Sequence, residues 1–176
     1  GTLGEMPKHW MWMSRPDARA QAVLTEEAAH RGTRALRVEA SQAREASGNM
    51  QFTFVRTEEF KVEPGRGYRL SVWAKADRPN LTLGLVAQSW KAGLHHWAAE
   101  HNCTVTQEWA EYSFDFYIPG PRDADYQPTL DNLWIRLDFR QPNGTYWIDD
   151  VSLKQGLNPL ETKSEWQVWQ ERGLDV

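Results

Sequence analysis

At 176 residues the chain suits a single domain with a sizeable core. Its formal net charge of −4 argues against an electrostatic nucleic-acid binder, which needs a basic face. The one cysteine, Cys103, excludes an internal disulfide and a cysteine-based metal cluster, and no apolar run approaches the roughly 20 residues that span a bilayer.

The opening "GTLGEMPKHW" carries no signal peptide and reads as an excised piece whose natural start has been removed. From about residue 34 to 153, alternation dominates. "RALRVEA" follows a Gly-containing turn at Arg31 to Thr33 and sets Ala35 opposite Leu36 and Val38. "MQFTFVRTEEFKV" predicts one long or two broken strands, with Glu58 and Glu59 marking a bulge or edge. After the turn "EPGRG", "YRLSVWAKA" alternates Tyr68, Leu70, Val72 and Ala74 against Arg69, Ser71, Trp73 and Lys75. "LTLGLVAQSW" sets Leu81, Leu83, Leu85 and Ala87 against Thr82, Gly84, Val86, Gln88 and Trp90.

"KAGLHHWAAEHNCTVTQ" is polar and aromatic with poor periodicity, which predicts a long loop and a short strand at "CTVT". "WAEYSFDFYI" turns Tyr112, Phe114, Phe116 and Ile118 inward, and "PGPRDADYQPT" is a second loop. "LWIRLDF" places Leu133, Ile135, Leu137 and Phe139 inside, with Trp134, Arg136, Asp138 and Arg140 outside. "QPNG" then turns into "TYWIDDVSL". About eight short strands with regular turns and no central helix predict an all-β sandwich of two antiparallel sheets, in its jelly-roll form.

The tail departs from this pattern. In "ETKSEWQVWQERGLDV", Thr162 and Glu165 form a capping box, and Arg172 with Gly173 supplies a stop. Trp166 and Trp169 share one face of the short amphipathic helix this predicts. The expected organisation is a β-sandwich over 1–154, then a linker and helix over 155–176 leading to a neighbouring domain.

The residues give little support to catalysis. There is no G-x-S-x-G turn and no phosphate-cradling loop. Asp149 and Asp150 are strand neighbours that point to opposite faces, so they cannot act across a cleft as glycosidase carboxylates. The histidines of "LHHWAAEH" lack zinc-site spacing and read as polar loop residues. In the parity of Val151 and Leu153, Asp149 faces inward and Asp150 outward. A buried carboxylate needs a cation or hydrogen-bond donors, so a calcium ion and backbone amides at a sheet end both remain open. Ten tryptophans exceed what the core needs; about half suit the interior, and the others suit stacking on a ligand's apolar face.

The order and spacing of "HRGTRALRVEA", "VEPGRGYRLSVWAKAD", "TVTQEWAEYSFDF", "LWIRLDF" and "YWIDDVSL" resemble the jelly-roll carbohydrate-binding modules of families four, nine, sixteen and twenty-two. These modules are appended to bacterial polysaccharide-degrading enzymes. The resemblance covers about residues 1–153 and implies a galactose-binding-domain-like sandwich that is non-catalytic, secreted, and usually carries one structural Ca2+. It implies Asp149 as a calcium ligand, with a carbonyl near Arg34. The family's N-terminal N-x-x-F-E ligand element is missing here, or the chain begins just after it, and the resemblance puts Thr2 in its place. It also implies a polysaccharide groove across one sheet, whose strands correspond to "HWMWM", part of "MQFTFVRTE", "LTLGLVAQSW" and "LWIRLDF". The residues expected to line it are Trp134, Arg136, Asp138, Gln88 and Trp90, with Trp97 as a wall and Trp12 and Arg56 alongside. Trp73 and Trp109 read as structural. "SEWQVWQERGLDV" resembles a linker of secreted right-handed β-helix enzymes, although their acidic "DPLF" element is missing; it suggests a catalytic partner that attacks plant or algal polysaccharide. The alternative is a structural accessory domain that docks on such an enzyme and leaves its groove unused for glycan.

Overall fold

A computed structural model describes residues 2–13, 21–40, 43–44, 50–51, 53–91, 94–128, 130–140 and 144–156, of which residues 13, 43–44, 50–51, 90–91 and 94–96 are described in backbone only. The predicted helix at 162–173 and most of the linker lie outside the described residues. Among the described residues there is no helix, and the strands are β1 (Trp10–Met13), β2 (Gln21–Thr25), β3 (Ala35–Ala40), β4 (Ala43–Arg44), β5 (Met50–Gln51), β6 (Thr53–Thr57), β7 (Phe60–Lys61), β8 (Arg66–Ala76), β9 (Leu81–Lys91), β10 (Leu94–Val105), β11 (Ala110–Ile118), β12 (Asn132–Phe139) and β13 (Gly144–Gln155).

The strands form two antiparallel sheets. The first runs β1-β6-β12-β9-β10, with β7 also pairing β12; the second runs β11-β8-β13-β3-β2. The segment around Glu58 and Glu59 is the predicted break: β6 and β7 both pair with β12 on either side of it. Alternation decides which side chains enter the space between the sheets. Leu133, Ile135, Leu137 and Phe139 of β12 meet Leu81, Leu83, Leu85 and Ala87 of β9 there, opposite Leu70, Val72 and Ala74 of β8. Tyr146 crosses the core without becoming an unsatisfied polar group, because its buried hydroxyl donates to the Thr82 carbonyl at 3.1 Å.

The expected long loop after Lys91 is instead a strand. β10 pairs with β9 from Leu94 to Val105, with one irregularity between His95 and Trp97. Its alternation is hard to see because its core-facing set, Trp97, Ala99, His101, Cys103 and Val105, mixes small and polar residues with apolar ones. An edge strand tolerates this, since one side of its backbone has no neighbour to satisfy.

The parity of Asp149 also needs correction. In β13, Tyr146 and Ile148 are buried in the core, so Asp149 shares the outer face with Trp147 and lies opposite Trp73. Between Asp149 and Ser152 the register shifts, and Asp150 sits at φ 46°. One extra residue returns Leu153 to the core side opposite Leu70, so counting back from Leu153 gives the wrong face. An aspartate tolerates the left-handed conformation better than a branched residue would.

Candidate functional site

On the outer face of the first sheet, strand pairing aligns Trp134 with Gln88, Arg136 with Val86 and Arg56, and Asp138 with Gly84 and Phe54. Trp134 Nε1 donates to Gln88 Oε1 at 3.4 Å, and Arg136 Nη1 donates to the same oxygen at 3.1 Å. Arg136 Nη2 donates to Asp138 Oδ2 at 2.8 Å, while its Nε lies 2.7 Å from Oδ1. Arg140 reaches the same carboxylate at 3.4 Å and Glu100 at 3.1 Å. The Arg56 guanidinium lies over the Trp134 ring at 4.1 Å, and that of Arg136 lies 5.1 Å from the Phe54 ring.

The network has depth. Asp138, Gln88 and Val86 are only 2%, 5% and 1% exposed, so they form a floor. Arg56, Trp134 and Arg136 are half-buried above it. Burial outweighs the two neighbouring guanidinium charges and holds the Asp138 carboxyl above the ordinary carboxylate range. Gly84 leaves room for these side chains: a Cβ would fall 2.8 Å from Arg140 Nε and 3.0 Å from Asp138 Cβ.

Five of the expected groove residues therefore come together: Trp134, Arg136, Asp138, Gln88 and Arg56. Asp138 and Gln88 are buried and bond the side chains above them. Trp90 follows Gln88 by two residues on β9 and pairs with His95, but its side chain lies outside the described residues. Two expectations fail on parity. Trp12 pairs with Val55 and packs against the core, because β1 joins β6 with its tryptophans inward. Trp97 is on the core side of β10, 5.9 Å from Phe116, and is no groove wall. Arg140 and Glu100 belong to the network although neither is among the expected contacts. Arg140 shares the outward parity of β12, which was the available signal; Glu100 lies in the segment that reads as loop.

At the end of the second sheet, Asp149 is held by backbone amides. Its Oδ2 accepts from His30 N at 2.9 Å and Arg31 N at 3.1 Å, and its Oδ1 accepts from Asp150 N at 2.8 Å. The His30 ring stacks on Trp73, with centroids 3.7 Å apart and planes 9° apart, and its Nδ1 donates to Asp150 Oδ2 at 3.0 Å. Trp73 and Trp109, 5.8 Å from the same ring, are thus structural partners.

These residues do not fit the expected calcium ion. Three N–H groups occupy the Asp149 carboxylate, and a cation would have to displace them. The adjoining cleft of about 200 Å³ is walled mainly by apolar side chains, among them Trp10, Leu24, Ile148 and Val151. The ligand expected near Arg34 is a main-chain carbonyl; Arg34 lines the cleft with its side chain exposed and paired with Glu26, and Thr2 is exposed, its carbonyl accepting from Glu5 N. Among the described residues, no three His, Cys, Asp or Glu side chains gather as a metal site.

With this geometry in place, comparison with known proteins is decisive for the family. The carbohydrate-binding domain family CBM_4_9 matches residues 11–130. The chain belongs to that family. This is a family of non-catalytic modules. None of the curated proteins matches the chain. Among solved structures, the CBM22-2 xylan-binding domain of Paenibacillus barcinonensis Xyn10C is similar at 14% identity and TM-score 0.60, covering 87% of this chain and 94% of that one. The family 11 carbohydrate-binding module from Clostridium thermocellum, in complex with a β-1,3-1,4-mixed-linked tetrasaccharide, is similar at 12% identity and TM-score 0.57, covering 85% and 90%. The enzymatically active domain of bacteriophage CBA120 tailspike protein 4 is similar at 14% identity and TM-score 0.62. That match covers 85% of this chain, which spans only 20% of the tailspike chain. At these identities the likenesses bear on the jelly-roll fold.

Proposed function

We propose that this carbohydrate-binding domain holds a polysaccharide chain across the outer face of its first sheet. One observation carries the reading: Trp134, Arg136 and Arg56 share that face, Trp134 and Arg136 bonded from below by Gln88 and Asp138 and Arg56 stacked on the Trp134 ring. A sugar ring offers C–H groups on its faces and hydroxyls at its rim. Aromatic and guanidinium groups held in fixed directions answer both features with little ordering cost on binding. In a secreted bacterial enzyme, such a module would raise the local concentration of substrate for an attached glycan-degrading domain. Plant and algal polysaccharides are the ligands in view. The tail's resemblance to a linker of β-helix enzymes keeps docking on such a partner as the second reading. A calcium ion is no part of the proposed binding step.

Affinity electrophoresis against xylan, mixed-linkage glucan, laminarin, pectin and algal polysaccharides tests the proposal. At least one should retard the protein. Trp134→Ala should weaken that interaction by about 2 kcal/mol, the usual scale for a central aromatic contact, without loss of the fold. If no glycan retards the wild-type protein, docking replaces glycan binding as the better account of this face.

A further inference from the structure

The arginines of this face point to the charge of the ligand, an inference that rests on the binding role proposed above. Although the chain has a net charge of −4, three guanidiniums, from Arg56, Arg136 and Arg140, meet two carboxylates here, from Asp138 and Glu100. Asp138 serves Arg136 and Arg140 together, and Glu100 serves Arg140. Arg56 is different. Its interactions are the stack on Trp134 and a 3.4 Å donation from Nη1 to the Thr57 carbonyl; among the described residues, no carboxylate lies within ion-pair distance of it.

The register makes this arrangement costly. Arg56 lies directly opposite Arg136 on adjacent strands, a like-charged cross-strand pair. Arg136 has its compensating carboxylate and Arg56 has none among the described residues, so an added anion would relieve the pair. The stack acts in the same direction. A neutral sugar seeking the ring face that Arg56 covers must first displace the guanidinium, at the cost of a cation–π contact. A sugar with an anionic substituent can engage that guanidinium where it lies, with its planar fork already oriented.

We propose that this face takes an anionic glycan, whose carboxylate or sulfate ester pairs with Arg56 while the chain runs beside Trp134. Arg56 is the specificity-determining contact, and Asp138 and Gln88 position Arg136 as a second donor. Binding of this kind weakens with salt because an exposed ion pair is screened.

The test is titration of the intact chain with polygalacturonate as the carboxylated arm, a sulfated galactan as the sulfated arm, and xylan and mixed-linkage glucan as neutral arms, at low and at high salt. The expected result is tighter binding to an anionic arm, weakened by salt. Whichever anionic arm prevails identifies the substituent. Arg56→Gln should weaken that binding by roughly tenfold or more, the scale of one charge-assisted contact, while leaving the melting temperature near the wild-type value. Arg56→Lys should recover part of the loss. The wild-type comparison stands by itself if Arg56→Gln proves unstable. Equal or tighter binding to the neutral arms, indifferent to salt, overturns the anionic selection and leaves glycan binding intact. If no arm binds, both proposals fall together.

Discussion

Asp138 and Asp149 each sit in a strand, and each is held by several donors, yet the donors differ in kind. Asp138 is gripped by side chains, the guanidiniums of Arg136 and Arg140, beneath the outer face of the first sheet. Asp149 is gripped by the main chain, through the amides of His30, Arg31 and Asp150, at the end of the other sheet. A side-chain network can be rearranged residue by residue, so it suits recognition. A carboxylate bonded to three amides pins two backbone segments about 120 residues apart in sequence, which suits stability.

The largest effect separating the two should come from Asp138→Ala. It leaves two arginines, each about one-fifth exposed, without their shared counter-charge. Removing one partner of a fully buried pair costs about 3–5 kcal/mol, and the partial exposure here lowers the expectation to about 2–3 kcal/mol. Urea denaturation at neutral pH measures it, and a loss below about 1 kcal/mol would show a network with little structural weight. Asp138 should also give stability a recognisable pH dependence. Its carboxyl is raised in the fold by burial, so between the ordinary aspartate range and the raised value the native state binds more protons than the unfolded chain. Its contribution to stability therefore falls as pH rises through that window. Asp138→Asn should remove this slope.

Next comes Asp149→Ala, which strips three amides of their acceptor. About 2 kcal/mol is expected, because amides near a sheet end regain water more readily than buried ones. The comparison is sharpened by chelation. If backbone donors rather than a metal hold Asp149, a chelator leaves the thermal melt unchanged. A calcium-dependent rise in melting temperature would show a cation displacing those amides, since a ligand specific to the native state raises its stability.

The legible parts of this molecule are those where one periodicity runs uninterrupted. "LWIRLDF" places Trp134, Arg136 and Asp138 on one face, and the structure agrees because β12 has neighbours on both sides and no bulge where it pairs with β9. Depth was not legible: nothing in alternation says that Asp138 lies beneath arginines, or that Arg56 from another strand covers Trp134. Those facts depend on register between segments some 80 residues apart. Asp149 was misread because a bulge is one inserted residue, invisible to any count of odd and even positions. Trp97 was misread for a third reason. Edge strands carry weak patterns, and the small and polar residues of β10 conceal its inward set. The amide-held Asp149 was one of two readings that its expected inward position left open, and only the fold of Arg31 against β13 distinguishes it from a metal ligand.

The smallest expected effect tests how far the Asp138 network extends into solvent. Glu100 is about half exposed, and its pair with Arg140 is a surface ion pair by that measure. Glu100→Gln should change stability by about 0.5 kcal/mol or less. Its second consequence is more informative. The Glu100 charge helps to raise the Asp138 carboxyl, so removing that charge should move the Asp138-dependent part of the pH–stability curve towards lower pH. Arg140, released from Glu100, can then lean fully on Asp138, and this shifts the curve the same way. A stability loss above about 1.5 kcal/mol would place Glu100 among the buried supports of the face. A curve that stays where it was would show that Asp138 does not sense charge at the rim, and that an anionic ligand arriving there would leave its protonation unchanged.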